Sequence, residues 1–145
     1  MSKKKYLLLF VPVIMISVAG FIYSSYTRTG VNIKKANAEK VTAPTLYERF
    51  SNNTSRAKSD YLHKVLEVSG TVMRTNKNQQ EQTVVLLKTM TEGAAVNCTL
   101  EEKLEDLTEG KPVSIKGICS GMGEGDLDLG IPADVYLVRC YVIKN

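Results

Sequence analysis

The sequence predicts a mainly β domain, a five-stranded Greek-key barrel with a short helical preface, carried behind one N-terminal transmembrane helix. Three observations predict it. An uncharged, mostly apolar run of 22 residues extends from Tyr6 to Thr27. Near Val65 the spacing of apolar residues changes from helical to alternating. Five strand-like segments then follow, broken after the third by a helical pattern.

A helix needs about 20 apolar residues to cross a hydrocarbon core of roughly 30 Å, and in lipid it satisfies its own backbone polar groups. Tyr6, Tyr23 and Tyr26 stand where interfacial aromatics belong. The rival is a cleaved secretory signal, with Lys3, Lys4 and Lys5 as its basic region and Ser17-Val18-Ala19 as its cleavage site. The apolar run continues past that site through Phe21-Ile22-Tyr23, beyond a signal core of about 7–15 residues. Length therefore favours an uncleaved anchor. Residues 1–5 are expected to form a cytoplasmic tail, 6–27 a transmembrane helix in contact with lipid, and 28–41 a polar linker. Residues 42–145 are expected to form the domain. Arg28, Lys34, Lys35 and Lys40 follow the helix, so basic residues flank it on both sides. The short tail resembles that of a signal-anchor and places the domain outside the cytoplasm.

The preface comes next. Thr42 is an N-cap candidate with Pro44 in the first turn, and Leu46 and Phe50 share a face. The Ser51-Asn52-Asn53-Thr54 cluster ends that helix, and a second carries Ala57, Tyr61 and Leu62 on one side. From Val65 to Arg74, Leu66, Val68, Gly70 and Val72 alternate, and an interior glycine marks a bend or bulge. Val84–Leu87 reads as the second strand and Ala94–Leu100 as the third. Thr99-Leu100-Glu101-Glu102 is a capping-box pattern, opening a helix with Leu104 and Leu107 on one face and Gly110 at its end. Val113–Gly117 and Val135–Ile143 complete the strands. Leu66, Val68, Val72, Val96, Val113 and Ile115 are the expected core. Three strands, a helix, then two strands is the order of the OB-fold, whose closure removes exposed sheet edges.

The segment Lys64-Val65-Leu66-Glu67-Val68-Ser69-Gly70-Thr71-Val72 resembles the bacterial OB-fold family known as tRNA anti-like. So do Ala57 and Tyr61, Val96-Asn97-Cys98, Gly110, the run Val113 to Gly121, and Asp134-Val135 through Cys140. The resemblance covers roughly residues 42–145. It implies the fold and a small membrane-anchored or exported protein, and carries no settled activity. The loop between strands four and five is longer here than a minimal member needs.

Charge argues about partners. The formal net charge is +4, but the first 43 residues hold seven Lys+Arg against one acid, Glu39. The remainder holds 12 Lys+Arg against 14 Asp+Glu, about −2. Proteins that live on phosphate contacts concentrate cations on the binding domain. Arg74, Lys77 and Lys88 are the cations placed to converge on a ligand groove. The loop that usually faces them, with Glu124, Asp126, Asp128 and Asp134, is acidic and lacks EF-hand spacing.

The single histidine, His63, follows Asp60 by three residues, and catalysis would need a nucleophile within reach. No phosphate loop, nucleophile elbow or HExxH motif occurs, so neither enzyme chemistry nor a metal or cofactor is expected. Cys98, Cys119 and Cys140 fall one per strand on the last three strands. Each reads as a buried thiol, or Cys119 and Cys140 bond across the last hairpin if its turn centres near Leu129-Gly130.

The sequence thus points to a non-catalytic binding module in the cell envelope, with a protein or envelope component as partner. The alternative is single-stranded nucleic acid or oligosaccharide, held on the face of strands two and three. The side chains on that face separate the two. Clustered Lys/Arg with stacked tyrosines fits nucleic acid, and an aliphatic or mixed polar surface fits protein.

Overall fold

A computed structural model describes residues 32–103, 107–126 and 128–143. The expected tail and transmembrane helix lie outside them. The element order is β1 (Glu39–Thr42), α1 (Ala43–Asn52), α2 (Thr54–Tyr61), β2 (Val65–Lys77), β3 (Thr83–Lys88), β4 (Ala95–Leu100), β5 (Pro112–Met122) and β6 (Val135–Ile143).

β2 organises the barrel by changing neighbours along its length. Its first half pairs antiparallel with β5, from Val65 opposite Ile118 to Thr71 opposite Pro112. Its second half pairs with β3, from Val72 opposite Leu87 to Lys77 opposite Thr83. β3 then pairs with β4, β4 runs parallel to β6, and β6 returns antiparallel to β5. The ring closes as a five-stranded OB-type barrel. Gly70 sits just before the exchange, as its place in the alternating pattern predicts, and the register shifts between Val72 and Arg74. A Cβ at Gly70 would lie 3.0 Å from the Ala43 Cβ and 3.4 Å from the Leu87 Cβ. Glycine here lets α1 begin against the bend.

The alternating residues are the core. Leu66, Val68, Val72, Val96 and Ile115 are all buried, with Val68 directly opposite Ile115. Val113 is only partly buried, because β5 starts at the barrel's rim there. The preface forms its two helices, the first capped by Thr42 as expected and the second by Asn53. The Thr42 hydroxyl accepts from the Thr45 N–H at 3.3 Å, and the Asn53 carboxamide oxygen from the Arg56 N–H at 3.0 Å. α1 buries Leu46, Tyr47 and Phe50 and touches β2, β3, β4 and β6. A helix that meets strands all around a closed ring lies over its end, so α1 stoppers the barrel.

Two expectations are corrected. Thr99 and Leu100 do not open a helix; they stay on the β4 ladder, opposite Val84 and Cys140. Burial of Leu100 in the barrel outweighs the local capping pattern. Glu101–Lys103 are not helical, and Leu104 lies outside the described residues. The domain also begins earlier than residue 42. The compact unit starts at Ile33, which is buried, and β1 pairs parallel with β2 from Glu39 opposite Leu66 to Thr42 opposite Ser69. Residues 33–41 are therefore a strap rather than linker. The Lys34 carbonyl accepts from Lys116 Nζ at 3.2 Å. The Lys34 ammonium pairs with Glu102 and lies 4.7 Å over the Tyr141 ring.

Candidate functional site on the outer barrel face

Residues directly opposite in a ladder share a face, so the outward row can be read across the strands. Arg74 stands opposite Leu86, Leu86 opposite Asn97, and Asn97 opposite Tyr136. Beside that row, Val84 lies between Asn76 and Thr99, and Ile118 faces Val138. Tyr136 is 43% exposed and Val138 38%; Val84, Leu86, Asn97 and Thr99 are half-buried. The face is aliphatic and polar, with one aromatic and one cation. Asp134 fixes its centre, accepting from the Ala95 N–H at 2.8 Å and from Asn97 Nδ2 at 2.6 Å. The Tyr136 ring covers Gly123, where a Cβ would lie 2.8 Å from a ring carbon.

Two loops flank this face. In the β2–β3 turn, Asn78 Oδ1 accepts from the N–H groups of Gln80 and Gln82, each at 3.0 Å, and Lys77 pairs with Glu81 at 3.8 Å. The β5–β6 connection is a hairpin arm. The Gly123 N–H donates to the Asp134 carbonyl at 2.9 Å, and Asp126 bridges Ile131. Asp126 Oδ1 caps the tip, accepting from the N–H groups of Asp128 and Leu129 at 3.1 Å. Leu129 is 71% exposed and Ile131 53%.

The three cations expected to converge do not. Arg74 lies on the outward row. Lys77 stands opposite the inward Thr83 and pairs within its own turn. Lys88 is five residues further along β3, roughly 17 Å at ~3.4 Å per residue. It lines a separate groove of about 660 Å³ with Ser69, Thr71, Met90 and Pro112.

The expected Cys119–Cys140 contact is likewise absent. All three thiols are free and buried. Cys119 faces Leu137, and Cys140 faces Leu100. The hairpin register is about three residues off the one that would oppose the two cysteines, and it shifts twice along β5–β6. The neighbouring Cys98 thiol, then burial, pushes the Cys140 thiol far above the ordinary thiol range. Burial also raises Cys119. His63 is exposed with φ of 63°, its N–H donating to the Cys119 carbonyl at 2.8 Å. Asp60 pairs with Arg56 at 3.8 Å. Among the described residues no group of three His, Cys, Asp or Glu side chains is arranged to hold a metal.

The residues of this candidate face that sequence reasoning did not single out are Leu86, Asn97, Tyr136 and Val138. Their signal was the polar or outward half of each alternating pattern, read only for its buried half.

A closed barrel of this strand order, its first strand shared between two neighbours, places the protein among OB-fold barrels. Within them, a family model described as tRNA_anti-like matches residues 1–128, and the chain belongs to that family. No curated protein matches the chain. Membership suggests a binding module.

Proposed function

We propose that the chain is a non-catalytic binding module, held on the outer side of a cytoplasmic membrane by residues 6–27, whose outer barrel face takes a protein partner of the envelope. The outward row from Arg74 through Leu86 and Asn97 to Tyr136 carries this reading. Binding of single strands takes a cationic groove and successive aromatic platforms. This face offers one of each, at opposite margins. Its tyrosine and arginine, set among aliphatic and amide side chains without an acid or a lysine, agree with a protein interface core, which is depleted of charge and enriched in those two residue types.

The test uses the full chain in nanodiscs, titrated with labelled single-stranded DNA and RNA between about 50 and 150 mM salt. The expected result is no micromolar affinity at the higher salt. Micromolar affinity that falls steeply as salt rises overturns the protein reading in favour of nucleic acid. Reporter fusions at the C-terminus check the topology, and activity of a cytoplasmic-type reporter overturns it.

A further inference from the structure

Among the described residues, the large apolar side chains left in water are not scattered. Of the five that are exposed there, Leu129, Ile131, Tyr136 and Val138 all belong to the β5–β6 arm and the strand that follows it; Met90 is the exception. The arm continues the β5–β6 ladder past Met122, opposite Val135, and its tip is braced by the Asp126–Ile131 bridge. A braced hairpin that presents apolar side chains costs solvation without contributing to the core, which marks an interaction surface.

Charge complementarity names the partner. From Gly117 to Val138 the acids are Glu124, Asp126, Asp128 and Asp134, and no Lys or Arg occurs. Asp126 and Asp134 are engaged by backbone and amide donors. Glu124 and Asp128 are exposed and take part in none of the ion pairs found among the described residues. An apolar ridge rimmed by free carboxylates repels acidic surfaces and nucleic acid, and attracts a segment that alternates apolar and cationic residues.

We infer that the β5–β6 arm docks a basic, apolar, extended segment of a partner protein, with Leu129 and Ile131 making the apolar contact and Glu124 and Asp128 selecting the charge. This deepens the protein-binding reading and rests on it.

The test is fluorescence anisotropy with the full chain in zwitterionic nanodiscs. The probes are a labelled peptide alternating Lys and Val, one alternating Glu and Val, and a single-stranded oligonucleotide; empty nanodiscs give the baseline. The Lys–Val peptide is expected to bind, and the Glu–Val peptide is not. The pair Leu129→Ser and Ile131→Ser is expected to weaken binding about tenfold or more. The pair Glu124→Gln and Asp128→Asn is expected to weaken it about three- to tenfold, with a smaller salt dependence. Glu48→Gln and Glu92→Gln, acids elsewhere on the surface, should leave it unchanged. All of these positions are exposed, so the fold is checked by circular dichroism and is expected to persist. Absent binding, equal binding of the two peptides, or loss with the remote acids as large as with the arm acids, overturns the arm assignment. Oligonucleotide binding as tight as that of the Lys–Val peptide overturns the protein-binding reading itself.

Discussion

The inner and outer faces of β3, β4 and β6 are written in the same strands, one residue out of step, and they follow different rules. Inward, Val85, Cys98, Leu137 and Cys119 stand opposite one another in sequence across four strands, all fully buried. Outward, the neighbouring row of Arg74, Leu86, Asn97 and Tyr136 is half-buried to exposed. The inner row is constrained by volume and by the exclusion of charge. The outer row is held by strand geometry and by local contacts, Asn97 to Asp134 and Tyr136 over Gly123, and volume does not fix its composition. Core residues of this protein report its fold, and on the proposed reading their outward neighbours report its partner.

The largest effect expected from breaking that distinction is Val68→Asp. It sets an unpaired carboxylate against Ile115 in the barrel, at a cost of about 5 kcal/mol or more, within reach of the whole stability of a domain. Loss of the folded circular dichroism signal checks it; a folded variant would show that the inner face tolerates charge. Gly117→Ala comes next. Its new Cβ would lie 2.4 Å from the Cys140 Sγ, and overpacking of this kind costs about 1–3 kcal/mol. Urea denaturation measures it, and Cys140→Ala in the same chain should restore part of the loss.

A smaller effect follows from the thiols. Cys119 and Cys140 hold their protons more tightly folded than unfolded, because burial and, for Cys140, first of all the neighbouring Cys98 thiol favour the neutral form. Their contribution is complete below the ordinary thiol value of 9.0 and is lost as pH rises beyond it, since the unfolded chain then sheds protons that the native state keeps. The urea midpoint should fall between pH 8 and pH 10, and less so with Cys140→Ala. Below pH 8 the native thiols should resist alkylation until the chain is unfolded. Smallest for stability is the outer row. Leu86→Ser with Tyr136→Ser should shift unfolding by about 1 kcal/mol or less, while removing the apolar centre of the proposed interface. A large loss of stability there would make the outer row structural and erase the contrast.

Sequence legibility divides along the same line. The core was readable because period-two alternation survives any detail of the loops: Leu66, Val68 and Val72 are buried, while the register shift falls between Val72 and Arg74, two residues past Gly70. Thr42 announced its helix through capping chemistry, whereas Asn53 was read only as part of the cluster that ends the first helix and proves to cap the second. β1 was invisible, since Glu-Lys-Val-Thr is short and polar and becomes a strand only through β2 beside it. The pattern after Thr99 misled because a local capping signal competes poorly with burial of Leu100. The cysteine geometry was illegible for another reason. It depends on register shifts in β5–β6 and on Arg139, which takes φ of 53° without being glycine. No residue type announces such a shift. The site was readable only as a class: an aliphatic and polar face was set out as the mark of a protein partner, but which outward residues compose it required the ladder registers.

The strap at Ile33 and Lys34 decides where a pull on the chain first enters the folded body. With Ile33 buried and the Lys34 carbonyl holding Lys116, tension from the N-terminal side meets that anchorage before it reaches β1, whose ladder with β2 runs from Glu39 to Thr42. The barrel itself is loaded only after the strap has come away.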